Sequence, residues 1–220
     1  LLLEAGATFT AANASPSEVA GLVPLAACIK LGKSDAARLL LDHGAPAHID
    51  CASPPLHEAA RADNAQLVQL LIERKAAVNF RTPLHHHSAL FVAAANGAAH
   101  CVQLLLQHGA DPDARAATGF TPITISTTRA AFHSLLAANA DPNARSLHGY
   151  MHLHVVAGHG SAQLIHDVVA AGGAQQVHAA GTNGITALHI AAADASVECV
   201  NALLEHGADK SARSADGMTP

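Results

Sequence analysis

Apolar residues in this chain fall into two kinds of short run that alternate along its whole length. The first has the form Thr-x-Leu-His-x-Ala-Ala, as in Thr186, Leu188, His189, Ala191 and Ala192; the second is longer and closes on Leu-Leu-x-x-Gly-Ala, as in Leu203, Leu204, Gly207 and Ala208. In both runs the apolar residues recur at helical spacing, as at Cys101, Val102, Leu104, Leu105 and Leu106, which predicts two short helices per phrase. Thr or Ser before Pro suits the start of the first helix: the hydroxyl caps unpaired N–H groups, and Pro at the first helical position lacks only a donor that would be unpaired anyway. A turn near Gly32 or Gly97 ends that helix. Gly109 stops the second helix as a C-cap glycine does, and His43, His108 and His206 lie near that end, where positive charge meets the helix dipole favourably. Between Gly109 and Thr121 the chain reads Ala-Asp-Pro-Asp-Ala-Arg-Ala-Ala-Thr-Gly-Phe, too rich in turn formers to be helical throughout.

The phrase keeps register. Its first-helix anchors are Leu25, Leu56, Leu90, Ile123, Leu153 and Leu188, and its turn position falls at Gly6, Gly44, Lys75, Gly109, Asn139, Gly173 and Gly207. Two independent columns in step over six units define an internal repeat of about 33 residues. The expected division is a single array over 1–220, with a partial unit at 1–20, units at 21–51, 52–85, 86–118, 119–148, 149–183 and 184–216, and a partial unit at 217–220. Each unit buries its apolar face on its neighbours, so no broad central core is expected.

These residues resemble the ankyrin repeat, most specifically at Gly184 to Asp216, Leu56 to Ala60 and Gln103 to Pro112, and the resemblance covers essentially the whole chain. It implies an all-α solenoid of stacked helix-turn-helix units with projecting β-hairpin loops. Two units depart from the pattern. At 119–148 the unit is short, and Thr124, Ile125, Ser126, Thr127 and Thr128 replace small helix formers, so a truncated first helix is expected. At 149–183 the opening is Met151-His152-Leu153-His154, followed by Gly158 and Gly160, so a less stable first helix is expected. The opening Leu1 to Ala7 matches the end of a unit and Gly217 to Pro220 the start of another, as expected for part of a longer array.

Composition narrows the function. Only 3% of residues are aromatic, with no Trp, which suits helices that approach across alanine rather than a thick core. A net charge of -5 without long runs of one sign argues against nucleic acid as a partner. No apolar stretch approaches bilayer length. Cys101 and Cys199 share one helix position in different units and read as small buried hydrophobes in a reducing compartment, the cytoplasm or nucleus.

Seventeen histidines raise the question of metal or catalysis. The resemblance assigns His57, His154 and His189 to a column that hydrogen-bonds the adjoining loop. His85 and His87 could share a metal from an extended segment, and His152, His154 and His159 form a second candidate, but each set falls short of four tetrahedral ligands; solvated loop histidine is the expected state. Cys51 with Asp50 and His57 has the residue types of a thiol nucleophile but lies in a connector without a pocket. Phosphate-loop, His-Glu-x-x-His, Gly-x-Ser-x-Gly and kinase motifs are missing from the sequence, so neither an enzyme nor a cofactor is expected.

The positions that folding leaves over point to a protein partner. Arg81, Arg115, Arg145 and Arg213, with Asp50 and His178, share a connector column; a row of Arg fits the carboxylates of an acidic segment. Phe120, Tyr150, Ile185 and Met218 follow the hairpin glycine, and Phe120 and Tyr150 are the preferred anchors. Lys30, Arg61, Asn96, His159 and Asp194 follow the Ala-Ala of the first helix and should line a concave side. The expected function is a protein-interaction scaffold or adaptor. Its alternatives are a substrate-recognition segment of a larger enzyme or ubiquitin-ligase adaptor, and a His-rich metal-responsive scaffold. The resemblance also implies asparagine hydroxylation at Asn79 or Asn143 as an option, while partner identity and oligomeric state stay open.

Overall fold

The computed structural model describes residues 24–220, so the half-repeat at Leu1 to Ala7, the turn position Gly6 and the partial unit at 1–20 lie outside the described residues. The chain divides into two compact units, Leu1–Asp111 and Pro112–Pro220. Among the described residues there are helices and no β-strand; isolated bridges join Arg81 to Ser88 and Ala180 to Thr186.

In the first unit the helices come in pairs: α1 (Pro24–Lys30) with α2 (Ser34–Asp42), α3 (Pro55–Arg61) with α4 (Ala65–Glu73), and α5 (Ala89–Ala95) with α6 (Ala99–Gln107). First helices pack on first helices and second on second, α1 on α3 on α5 and α2 on α4 on α6. Alanine makes this approach possible: Ala59, Ala60, Ala93 and Ala94 are fully buried at 0% exposure, beside Leu67, Val68, Leu71 and Leu105 of the second helices. Helix starts are capped where the sequence supplies an acceptor. Ser88 Oγ accepts from Phe91 N at 3.1 Å and Asn64 Oδ1 from Leu67 N at 3.0 Å, each satisfying a donor with no intrahelical partner. Turn positions Gly44 and Gly109 have φ of 84° and 78°, and Lys75 is held in the same left-handed conformation at 68°.

The second unit contains α7 (Pro122–Ile125), α8 (Arg129–Ala137), α9 (His152–His159), α10 (Ala162–Gly172), α11 (Ala187–Ala193) and α12 (Val197–Glu205), with 3₁₀ turns at Ala174–Gln176 and Thr182–Gly184. The expected truncation at 119–148 is present: α7 is 4 residues long. Ser126 ends it, with Oγ donating to Ile123 O at 2.9 Å, the local competition by which hydroxyl residues unseat helices. His152 occupies the gap, fully buried, its Nε2 donating to Ser126 O at 2.8 Å and its ring 5.1 Å from that of Phe132. The next first helix, α9, forms over 8 residues and stops at Gly160, where φ is 74°.

Hairpins repeat one bonding scheme in this unit. Ala116 N donates to Phe120 O, Ser146 N to Tyr150 O, Gly181 N to Ile185 O and Ser214 N to Met218 O, each at 2.9 Å. Neighbouring hairpins are joined by Leu147 N to Thr118 O at 2.9 Å, and by Thr182 N to His148 O and Ala215 N to Asn183 O at 2.7 Å. Backbone groups that a lone loop would leave to water are thereby paired.

Candidate functional site

The histidine column serves the fold. His57, His154 and His189 each donate from Nε2 to a carbonyl of the next hairpin: His87 O at 2.9 Å, Ile185 O at 3.2 Å and Met218 O at 3.2 Å. In the second unit the opposite nitrogen is also satisfied, because Met151 N donates to His154 Nδ1 at 3.1 Å and Thr186 N to His189 Nδ1 at 3.2 Å. At α3 the residue before the helix is Pro54, which has no N–H to give. His57 Nδ1 is consequently buried without a partner. Burial lowers the pKa of His57 to about 4, and of His154 below its ordinary value.

One expectation about histidine needs correction. His152 is not a solvated loop residue or a metal ligand: it is fully buried, its Nε2 is engaged at Ser126, and burial lowers its pKa to about 4. His154 is committed at both nitrogens and His159 bonds Val155 O of its own helix at 2.8 Å, so these three do not converge. The cause is the short α7, which opens an interior space that an imidazole fills. The rings of His85 and His87 stack 5.4 Å apart, and His87 stacks on Phe91 at 4.5 Å. Among the described residues no three His, Cys, Asp or Glu side chains lie close enough to hold a metal ion.

Nor do the residues of the thiol candidate assemble. His48 Nε2 takes Asp50 at 2.9 Å, His57 faces His87 O, and burial raises the Cys51 pKa, opposite to what a thiolate nucleophile needs. Cys101 and Cys199 are buried thiols as expected, with Cys101 pushed up to about 12 by burial. Asn79 serves its turn, donating to Gly109 O and accepting from Asp111 N, both at 2.9 Å.

Of the surface columns, the first unit brings Arg61 and Asn96 to one cleft of about 280 Å³, lined also by Glu58, His87, Phe91 and Val92. A second cleft of about 540 Å³ shares Glu58 and Arg61 and adds Lys30. Arg81 is exposed at the base of the hairpin in this unit. In the second unit Arg115 donates from Nη1 to Gly119 O and to Arg145 O, both at 3.0 Å, and Arg213 donates to Gly217 O at 2.9 Å. These guanidinium groups clamp hairpin carbonyls while remaining exposed residues. Phe120 and Tyr150 are half-buried; the Tyr150 ring lies against Gly181, and it meets His154 edge-on at 5.2 Å. His159 and Asp194 are exposed at the ends of α9 and α11.

Two residues escaped the column reading. Leu147, at the hairpin tip between Arg145 and Tyr150, is 75% exposed. Glu58 is a nearly buried carboxylate at 5% exposure, paired with Arg61 at 3.5 Å. Its signal was available: the equivalent positions hold Ala27, Val92, Ile125, Val155 and Ile190, all apolar.

Stacked helix pairs with bonded hairpins define a helical repeat scaffold of the all-α ankyrin-repeat solenoid class, and scaffolds of this class bind other proteins. Profiles of the family described as ankyrin repeats match residues 25–116, 56–146 and 123–214, and the chain belongs to that family. Over 178 residues it is 28% identical to XBAT31 of Arabidopsis thaliana, designated by name an E3 ubiquitin-protein ligase, covering 72% of this chain and 39% of the relative. It is 30% identical over 168 residues to the tyrosine-protein kinase HTK16 of Hydra vulgaris, covering 75% of this chain and 18% of the relative. The chain thus spans well under half the length of either. Among solved structures it is similar to the human ASB11 ankyrin repeat domain, with a TM-score of 0.75, 26% identity and 90% of both chains covered. Among the described residues no helix is long and apolar enough to cross a membrane.

Proposed function

We infer that this protein-interaction scaffold holds its partner on the residues that follow the first helices and on the hairpin edges: Lys30, Arg61, Asn96 and Arg81 in the first unit, and Arg145, Tyr150, His159, Asp194 and Arg213 in the second. The observation that carries the reading is the first-unit cleft, where two side chains from one repeat column, Arg61 and Asn96, line a shared concave space. Arg115 and Phe120 contribute at the hairpins, where Arg115 also fixes the loop. Arg145 beside exposed Leu147 suits a partner segment with a carboxylate next to an apolar residue. Neither cofactor nor catalysis enters this function, and a reducing compartment, cytosol or nucleus, suits four cysteines that carry no disulfide.

A second reading is favoured by XBAT31: the segment selects substrates for a ubiquitin ligase of which it is a part. Two relatives with unlike designations, a ligase and a kinase, share this segment over a minor part of their lengths, which supports a recognition role separable from the chemistry. With an identified partner, calorimetry on Arg61→Ala/Asn96→Ala and Arg145→Ala/Tyr150→Ala variants tests the surface. Each pair is expected to weaken binding at least tenfold; unchanged affinity in both would remove these columns from the interface. For the second reading, ubiquitylation of that partner should depend on the segment, and persistence after its deletion would exclude it.

A further inference from the structure

Glu58 puts a carboxylate into a column that is apolar in five other repeats: Ala27, Val92, Ile125, Val155 and Ile190. It is 5% exposed, and its ion-pair partner Arg61 stands at 3.5 Å with a side chain 52% exposed to water. A buried carboxylate is costly unless it is paired and hydrogen-bonded at short range, so this contact leaves acceptor capacity over. The preceding residue is short of a donor on a nitrogen that the fold encloses. His57 is 2% exposed and its Nδ1 has no donor, because Pro54 stands where Met151 and Thr186 supply a backbone N–H to His154 and His189. Both residues line the cleft of about 280 Å³, together with Phe91 and Val92 of the next repeat.

The charges around the cleft narrow what can enter. A cation would approach Glu58 past Arg61 and past Lys30 of the adjoining cleft. An anion would meet the Glu58 carboxylate itself. An uncharged group with more than one N–H and a single oxygen matches both charges: its donors answer the carboxylate oxygens of Glu58 and its oxygen faces the Arg61 guanidinium. A carboxamide carries that set, two N–H donors and one carbonyl, and the methylene stem of Gln or Asn suits the Phe91 and Val92 wall.

We propose that the cleft between α3 and α5 is a subsite for the carboxamide side chain, Gln or Asn, of an extended segment of the protein partner. This rests on the interface reading above and adds the residue type that the interface selects. Selectivity comes from Glu58, since an analogue without the donors leaves a desolvated carboxylate unpaired.

The test uses four pentapeptides, alanine throughout except for Gln, Glu, Arg or Ala at the centre. They are acetylated and N-methylamidated so that the Gln side chain is the single primary carboxamide. Each is titrated into the isotopically labelled chain while the amide signals of Phe91 and Val92 are followed. The Gln peptide is expected to bind roughly tenfold more tightly than the other three, the factor that one hydrogen bond to a charged group supplies. Glu58→Val, which installs the residue found at position 92, is expected to melt no lower than the parent and to bind all four peptides equally weakly. Equal or tighter binding of the Arg or Glu peptide, Gln preference that survives in Glu58→Val, or no response at Phe91 and Val92 up to tens of millimolar Gln peptide overturns the proposal. Shifts confined to the hairpins around Tyr150 also overturn it, while leaving the broader interface standing.

Discussion

Acid should loosen both units of this protein well above the range in which carboxylates titrate. His57 in the first unit and His152 in the second are buried, and each is lowered from 6.5 to about 4 chiefly by that burial. Because the folded state disfavours the proton, the unfolded chain binds it first, and stability falls as pH drops from the unfolded value toward the folded one. Between pH 7 and pH 5, a shift from 6.5 to about 4 corresponds to a loss of about 2 kcal/mol per histidine, so about 4 kcal/mol for the pair. His154 and His87 are lowered by burial too and act in the same direction. Asp63 and Asp167 are held below 3.8, so their contribution is lost only at still lower pH and leaves this window untouched. Against a typical stability of 5–15 kcal/mol, roughly 4 kcal/mol should lower the melting temperature by about 8–16 °C. Urea melts at pH 7, 6 and 5, followed by far-UV circular dichroism, measure this, with His152→Gln expected to remove about half of the effect. A midpoint that stays constant from pH 7 to pH 5 would show that these imidazoles are not buried as described.

Other perturbations test single links. Pro54→Thr supplies both the hydroxyl and the N–H that α3 lacks and should stabilise by about 1 kcal/mol; a lower melting temperature would mean that His57 Nδ1 already has a donor. Lys75 has φ of 68° where Gly44 and Gly109 stand in the neighbouring repeats, so Lys75→Gly should gain up to about 1 kcal/mol in chemical denaturation, and a loss would contradict the left-handed turn. At Gly181→Ala the new methyl would overlap the Tyr150 ring. That should cost about 1–3 kcal/mol and alter Tyr150 fluorescence, whereas a neutral result would place the ring elsewhere.

What could be read from sequence was whatever repeats. Gly109 and Gly207 as turn residues follow from a pattern that recurs about every 33 residues, the role of His189 from the family resemblance, and the truncation at Thr124 to Thr128 from a local departure from that pattern. Lys75 and Asn139 were placed in the turn column by register alone, and both take positive φ. Side-chain fates that depend on the next repeat were not legible. His152 looked like a loop residue because nothing nearby in sequence reports that α7 ends at Ser126, 26 residues earlier. Arg115 reads from sequence as a guanidinium offered to a partner's carboxylates, yet it also bonds Arg145 O, 30 residues later. Glu58 was legible as the one charge in an otherwise apolar column, but its burial depends on Phe91 and Val92 of the next repeat.

The most direct measurement is affinity capture from cell extract with three forms of the chain, read by quantitative mass spectrometry and followed by direct binding of the recovered protein. The forms are the parent, a face variant with Arg61, Asn96, Arg145 and Asp194 replaced by Ala, and a control with the exposed second-helix residues Gln66, Gln103 and Glu205 replaced by Ala. At least one protein is expected to bind the parent and the control alike and to lose at least tenfold affinity for the face variant. Equal binding to all three forms, or loss in the control alone, would contradict a scaffold that works through its first-helix and hairpin columns.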